Sequence, residues 1–364
     1  MTYTFHLLGL AHIPTTKDVP SCAYTQKVVN LAKMLTELGH HVTLYCTEGS
    51  DVPNVEIVTV GSEETRKRVY GDYDWHKEFF KHNPKDEVHQ EFNTRAIWEI
   101  NARKQERDFL LCPMGNYDKP ISDAVKLMTV ESGIGYTGVF CDKRVFESYA
   151  WMHYIYGLLH EDNGSWYDTV IPNSYNIKDF PYESQPAGAK DDYYLYVGRL
   201  ITRKGLQIAI ETTKAIGATL LVAGQGDLKN VDGRDFSVFD HVHHVGTVDA
   251  VKRFELMSHA MSVFVPTYYI GPFEGVAVEA QLCGTPVITT DWGVFAETVK
   301  QGVTGWRCRT FKEFVDAAQQ WQTIRPDDCR SWAVSHYSTD VVKLQYQAYF
   351  DRLNDLWSEG WYQL

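Results

Sequence analysis

The sequence lacks any run of about 18 apolar residues, so no helix of it is expected to cross a membrane, although peripheral membrane contact stays compatible. It has no CxxC spacing: its cysteines stand apart at positions 22, 46, 112, 141, 283, 308 and 329. That excludes a zinc ribbon or a thioredoxin-type pair. An odd, scattered set reads as reduced thiols, and the expected compartment is the cytoplasm. Residues 1–14 carry no basic leader or small-residue cleavage site and read as a first strand. Basic residues are in deficit, 35 against 47 acidic, for a formal charge of −12. Sequence-independent nucleic-acid binding needs clustered Lys and Arg, so that partner is not expected. A local basic pocket for one anionic ligand remains compatible with this total. The loop after the first strand, opened by Gly9, has no GxGxxG and no correctly placed acidic residue after the second strand. An NAD-type site is therefore the lowest-ranked reading.

The rest is ordinary globular material: 44% hydrophobic and 23% charged over 364 residues, enough for two domains with their own cores. The pattern alternates strands and helices, as in a parallel α/β sheet. Strands are expected near 5–10, 41–46, 55–60, 109–112, 126–130 and 169–171, with a helix near 28–38 and a long helical stretch over 144–159. Residues 62–108 hold 10 basic and 11 acidic residues, interleaved with Tyr70, Tyr73, Trp75, Phe79, Phe80, Phe92 and Trp98. The plain reading is a solvated insertion and a surface helix; the sharper one is an acceptor-facing surface. Residues 183–192 form a polar connector, after which strand and helix alternate again. Two doubly wound Rossmann-like domains are expected, 1–180 and 181–338, with a helix over 339–364 closing on the first. The ligand crevice would lie at the carboxyl ends of the strands, between the two domains.

Three loops carry candidate chemistry. In the first, a strand ends at Val197, Gly198 turns the chain, and Arg199 and Lys204 flank a helix start. Free N–H groups, a guanidinium and an ammonium together suit two neighbouring phosphates; the plainer reading is two solvated bases. The second runs from Pro266 through Gly271, Pro272, Phe273, Glu274, Gly275 and Val276 into a helix bearing Glu279. Its amides offer another anion-receptive end, and Glu279 stands where a carboxylate could accept two ribose hydroxyls. The plainer readings are a surface carboxylate for Glu279 and simple capping for Glu274. The third, Ala223-Gly224-Gln225-Gly226, is a strand running into a turn.

In order and spacing, Val197-Gly198-Arg199-Leu200 with Lys204-Gly205, then Gly224 and Gly226, then Glu274-Gly275-Val276 with Glu279-Ala280 and Gly284-x-Pro286-Val287, resemble the family-4 glycosyltransferases. The resemblance covers residues 194–306 well. It implies a GT-B fold and a retaining transfer from a UDP- or GDP-sugar to a hydroxyl acceptor, such as a glycan or glycoconjugate. It implies that Arg199 and Lys204 bind the donor diphosphate and that Glu279 holds the ribose. Gly246, Thr247 and Val248 would lie along the base, with the loop from Phe273 to Val276 approaching the phosphates and sugar, and Gly9, Gly198 and Gly224 are expected among the donor-binding residues. Glu131 falls where many members carry a His near the sugar; His153 is a weaker candidate. The chain departs from the family at two linked positions. Gly271 stands eight residues before Glu279, where the family usually has Glu, and Glu274 stands where it usually has Gly. No DxD-type acidic pair occupies a suitable loop, so neither a metal nor another cofactor is expected. A GT-B nucleotide-sugar epimerase and a non-catalytic nucleotide-sugar binder are the alternatives.

Overall fold

The computed structural model describes residues 1–19, 22–74, 78, 80–180, 182–184 and 190–356. Trp75, Phe79, residues 185–189 of the connector and residues 357–364 of the expected closing helix lie outside the described residues. The chain divides into two compact units.

The first unit is a parallel sheet of seven strands in the order β3-β2-β1-β4-β5-β6-β7. These are β1 (Thr4–Leu8), β2 (His41–Thr47), β3 (Glu56–Gly61), β4 (Phe109–Cys112), β5 (Met128–Ile134), β6 (Arg144–Phe146) and β7 (Thr169–Val170). Successive side chains of a strand face opposite ways, so a sheet covered on both faces needs apolar residues at every position. Phe5 and Leu7 accordingly join one buried cluster, and Leu8 the other. The crossovers are α1 (Ala23–Glu37), α2 (Glu63–Tyr70), α3 (Glu87–Arg103), α4 (Lys119–Val125) and α5 (Tyr149–Leu159).

Two sequence expectations change here. The stretch 144–159 is a strand followed by a helix. Arg144 begins a buried strand because its guanidinium is matched by Asp168 at 2.8 Å and Glu161 at 3.1 Å. The helix starts later, where the Ser148 hydroxyl accepts from the Trp151 amide at 3.1 Å. The charged region 62–108 is also not wholly a surface feature: α3 buries Val88, Phe92, Ala96 and Ile100 against the sheet, while Trp98 stays exposed.

The second unit is a parallel six-stranded sheet, β10-β9-β8-β11-β12-β13. Its strands are β8 (Tyr194–Val197), β9 (Leu220–Ala223), β10 (Val242–Gly246), β11 (Val263–Val265), β12 (Val287–Thr290) and β13 (Gly305–Cys308). Its helices are α6 (Leu206–Ala215), α7 (Ala250–His259), α8 (Gly275–Leu282), α9 (Phe295–Thr298), α10 (Phe311–Gln319) and α11 (Pro326–Tyr337). Leu195 points into one cluster, Tyr194 and Tyr196 into the other. The final helix, α12 (Thr339–Asp355), belongs to the first unit, where Phe350 packs on Phe5 with centroids 4.6 Å apart. The chain passes from the first unit to the second between Ser174 and Tyr175, ahead of the 180/181 boundary expected from sequence, and residues 148–154 also group with the second.

Candidate functional site

In the second sheet the strand order reverses between β8 and β11. Loops leaving the carboxyl ends of strands at such a point splay apart and leave a crevice for a ligand. Here those loops are the ones that carry Arg199 and Lys204 on one side and Glu274 on the other.

The two loops are pressed together. Gly205 has φ +77°, and a Cβ there would lie 2.0 Å from the Pro266 carbonyl oxygen. The Tyr268 amide donates to the Arg203 carbonyl at 2.8 Å. Next to them, a Cβ on Gly224 would lie 1.9 Å from the Gly198 carbonyl oxygen. The Gly224 amide in turn donates to the Gly246 carbonyl at 2.9 Å, tying in the turn that leads to Thr247 and Val248. Bare backbone thus lines the crevice from the end of β8 to the end of β10. Thr247 is exposed and Val248 half-buried against the core.

Lys204 Nζ donates to Glu274 Oε2 at 2.6 Å and to Oε1 at 2.8 Å. Both side chains are largely buried, 18% and 5% exposed. The Thr267 hydroxyl adds a bond to Glu274 at 3.3 Å, and Lys204 lies 5.2 Å from the centre of the Tyr269 ring. Glu274 holds φ +54° and ψ +57°, a left-handed conformation costly for any residue with a Cβ, on the order of 1–3 kcal/mol. Its carboxylate lies where position 271 would place a side chain, 2.2 Å from an ideal Cβ on Gly271. The two departures from the family pattern are therefore one steric exchange. Arg199 is exposed, and its guanidinium has no hydrogen bond or ion pair among the described residues.

Glu279 is the fifth of the eight residues of α8, 16% exposed. Its carboxylate meets Arg253 of α7, with Nε 3.1 Å from Oε2 and Nη2 donating to Oε1 at 3.3 Å. The Tyr175 hydroxyl is adjacent: a Cβ on Gly275 would come within 2.4 Å of it. Burial, and then the charge of Glu279, push that phenol well above its ordinary pKa. Phe273 is a core residue, 3% exposed and packed near Tyr175 and Tyr337, so only its backbone faces the loop. Val276 is half-buried on the first turn of α8. Arg253, Tyr175, Thr267 and Tyr269 were not singled out in the sequence. A lone Arg in an amphipathic helix and a Tyr in a Pro-Asn-Ser-Tyr turn carry no local signal of their partners.

Two expected site residues belong to the first unit and have other work there. Glu131 does not follow the end of its strand, because β5 runs on to Ile134. Its carboxylate is fully buried and accepts from the amides of Phe140 at 2.9 Å and Cys141 at 3.0 Å and from the Tyr136 hydroxyl at 3.1 Å. Burial raises its pKa against the pull of these donors. Glu131 anchors the 136–141 loop. Gly9 is bare because a Cβ would lie 2.6 Å from Thr15 Oγ1 and 2.9 Å from Cys46 Cβ; its packing is internal. His153 is exposed on α5.

Residues 191–323 match the family model described as Glycosyl transferases group 1. The glycogen synthase of Mycobacterium tuberculosis is 32% identical over 148 residues, covering 38% of this chain and 36% of that enzyme. The chain thus aligns with about a third of the length of that curated relative. Over nearly the whole chain the fold is that of solved glycosyltransferase structures. The sucrose-phosphate synthase of Thermosynechococcus elongatus superposes with a TM-score of 0.68 at 18% identity, covering 97% of this chain and 99% of that one. The Anabaena protein HepE, solved with UDP and glucose, gives 0.69 at 13% identity, covering 97% and 100%. The architecture is GT-B, and the second unit carries the group 1 sequence. Residues 191–323 thus resemble the group 1 glycosyltransferases, and the chain as a whole has the fold of solved glycosyltransferase structures.

Proposed function

We propose that the protein transfers a sugar, with retention of anomeric configuration, from a nucleoside-diphosphate sugar to a hydroxyl acceptor. The observation that carries this reading is the pair of cations in the loop at the switch point of the second sheet: Lys204 held by Glu274, and Arg199, whose guanidinium has no hydrogen bond or ion pair among the described residues. The relative solved with UDP and glucose on the same fold supports a nucleotide sugar as the donor class.

The chemical difficulty is the leaving group. Cleaving the bond between the anomeric carbon and the phosphate oxygen places new negative charge on the diphosphate. Arg199, Lys204 and the first amides of α8 stabilise that charge more in the transition state than in the ground state, which is what accelerates the step. Each such group contributes roughly 3 kcal/mol of barrier lowering. These cations come from the chain, so the reading calls on no metal. Glu279 accepts the ribose hydroxyls. Glu274 delivers its carboxylate into the space above Gly271, from which it accepts hydroxyls of the sugar while keeping Lys204 in place. Retention follows from attack on the face the diphosphate leaves, with the departing phosphate taking the acceptor proton.

Product analysis tests this. Incubation with UDP-, GDP- and ADP-sugars and a panel of glycan and glycoconjugate acceptors should release one nucleoside diphosphate and give a product with the donor's anomeric configuration by NMR. A sugar epimer formed without acceptor would instead mark an epimerase. Tight binding with no turnover on any acceptor would mark a binder.

A further inference from the structure

Three carbonyls of the loop that carries Glu274 are held by side chains from other segments. Thr267 accepts from the Thr290 hydroxyl at 2.8 Å, Tyr268 from the Trp292 indole at 3.0 Å and Pro272 from the Ser148 hydroxyl at 2.7 Å. The last of these stands two residues before Glu274. Ser148 is buried, 1% exposed, and a hydroxyl has a single proton to donate. That proton goes to Pro272, while the oxygen accepts from the Trp151 amide at 3.1 Å and so caps α5. The two bonds together leave the hydroxyl one orientation. The start of α5 is fixed in turn: the Glu297 carboxylate of α9 accepts from the amides of Tyr149 at 2.9 Å and Ala150 at 2.8 Å. Ser148, Pro272 and Glu297 all group with the second unit.

Glu274 needs such support. A residue with a Cβ stays at φ +54° only when its surroundings over-determine it. On one side the Glu274 carbonyl accepts from the Ala277 amide at 3.1 Å, which ties it to the start of α8. On the other, Phe273 is anchored in the core, and the peptide plane between Pro272 and Phe273 is set by Ser148. We propose that Ser148 is a positioning residue: its hold on the Pro272 carbonyl keeps Glu274 in the left-handed conformation, and through Glu274 keeps Lys204 aimed at the diphosphate. This rests on the proposed role of Lys204 at that diphosphate. Ser148 itself touches no reacting atom. Without its hydroxyl the 272–273 peptide is free to rotate, Glu274 relaxes toward an ordinary backbone conformation, and its carboxylate draws away from Lys204.

The test is a double-variant cycle in the full chain, read by calorimetric titration of UDP, GDP and ADP with melting temperature alongside. The diphosphate that binds wild type should bind Ser148→Ala about fivefold more weakly, the worth of one hydrogen bond. In a Glu274→Gln background the charged grip on Lys204 is already gone, and adding Ser148→Ala should change affinity by less than about twofold. A merely structural serine would lower the melting temperature and either leave affinity untouched or add the same loss in both backgrounds; each of these results overturns the proposal. If Ser148→Ala does not fold, Ser148→Cys, which keeps the shape and only a weak donor, is judged by the same cycle. Unchanged affinity in a folded Ser148→Ala protein leaves the diphosphate site standing and removes only the role of Ser148. A wild type that binds none of the three nucleotides overturns the donor reading itself.

Discussion

Gly271 is bare because Glu274 occupies its place: a Cβ at 271 would lie 2.2 Å from Glu274 Oε1 and 2.9 Å from its Cγ and Cδ. The pair behaves as one unit, and its substitutions should be non-additive. Glu274→Gly relieves the left-handed strain but leaves a mostly buried ammonium on Lys204 without its anion, a loss of about 3–5 kcal/mol for a broken buried pair. Gly271→Glu alone forces two carboxylates into one volume. Each single variant should lose at least tenfold in donor affinity and several degrees of melting temperature. The double variant Gly271→Glu/Glu274→Gly should recover much of both. Calorimetry with the bound nucleotide sugar reads this directly; losses that simply add in the double variant would contradict a shared site.

Glu131 is predicted to matter for folding and not for the donor. All three of its hydrogen bonds are accepted from donors on one loop. Glu131→Gln turns an amide NH2 toward one of those donors and should cost about 1–3 kcal/mol of stability. Donor affinity by titration should stay within about twofold of wild type. A large loss of turnover with an unchanged melting temperature would return Glu131 to the sugar site.

Asp118 gives a pH signature. Its side chain is buried beside Glu131 and accepts from the Met114 amide at 2.8 Å. Burial pushes its pKa up to about 8 from an ordinary value of 3.8, against the pull of that amide. The unfolded chain therefore gives up this proton near pH 4 and the folded chain only near pH 8. Between those values the unfolded state binds fewer protons, so this group's contribution to stability falls as pH rises. Asp118→Asn keeps the acceptor and does not titrate. Its melting temperature relative to wild type should climb by several degrees from pH 5 to pH 8. A constant difference across that range would contradict a protonated Asp118.

The candidate site of the second unit was legible because its signals are local. The strand ending at Val197, the helix starting at Gly275 and the bases between them are set by short-range glycine, charge and apolar patterning, and the structure puts them at one switch point. What escaped the sequence is tertiary. Glu131 reads as the polar end of a strand, yet loop amides that meet it only after folding let β5 carry a buried carboxylate. Arg144 looks like a helix start until Asp168 and Glu161 arrive to neutralise it inside a strand. Arg253 and Glu279 lie on different helices and meet only through the packing of α7 on α8.

The central claim is that Arg199 and Lys204 hold a nucleoside diphosphate. The most direct measurement is the affinity of UDP, GDP and ADP for wild type, Arg199→Ala and Lys204→Ala, by calorimetry with melting temperature as a control for folding. One diphosphate should bind wild type, and each variant should bind it at least tenfold more weakly while remaining folded. Equal affinity in a folded Arg199→Ala protein, or no binding of any of the three to wild type, would contradict the account.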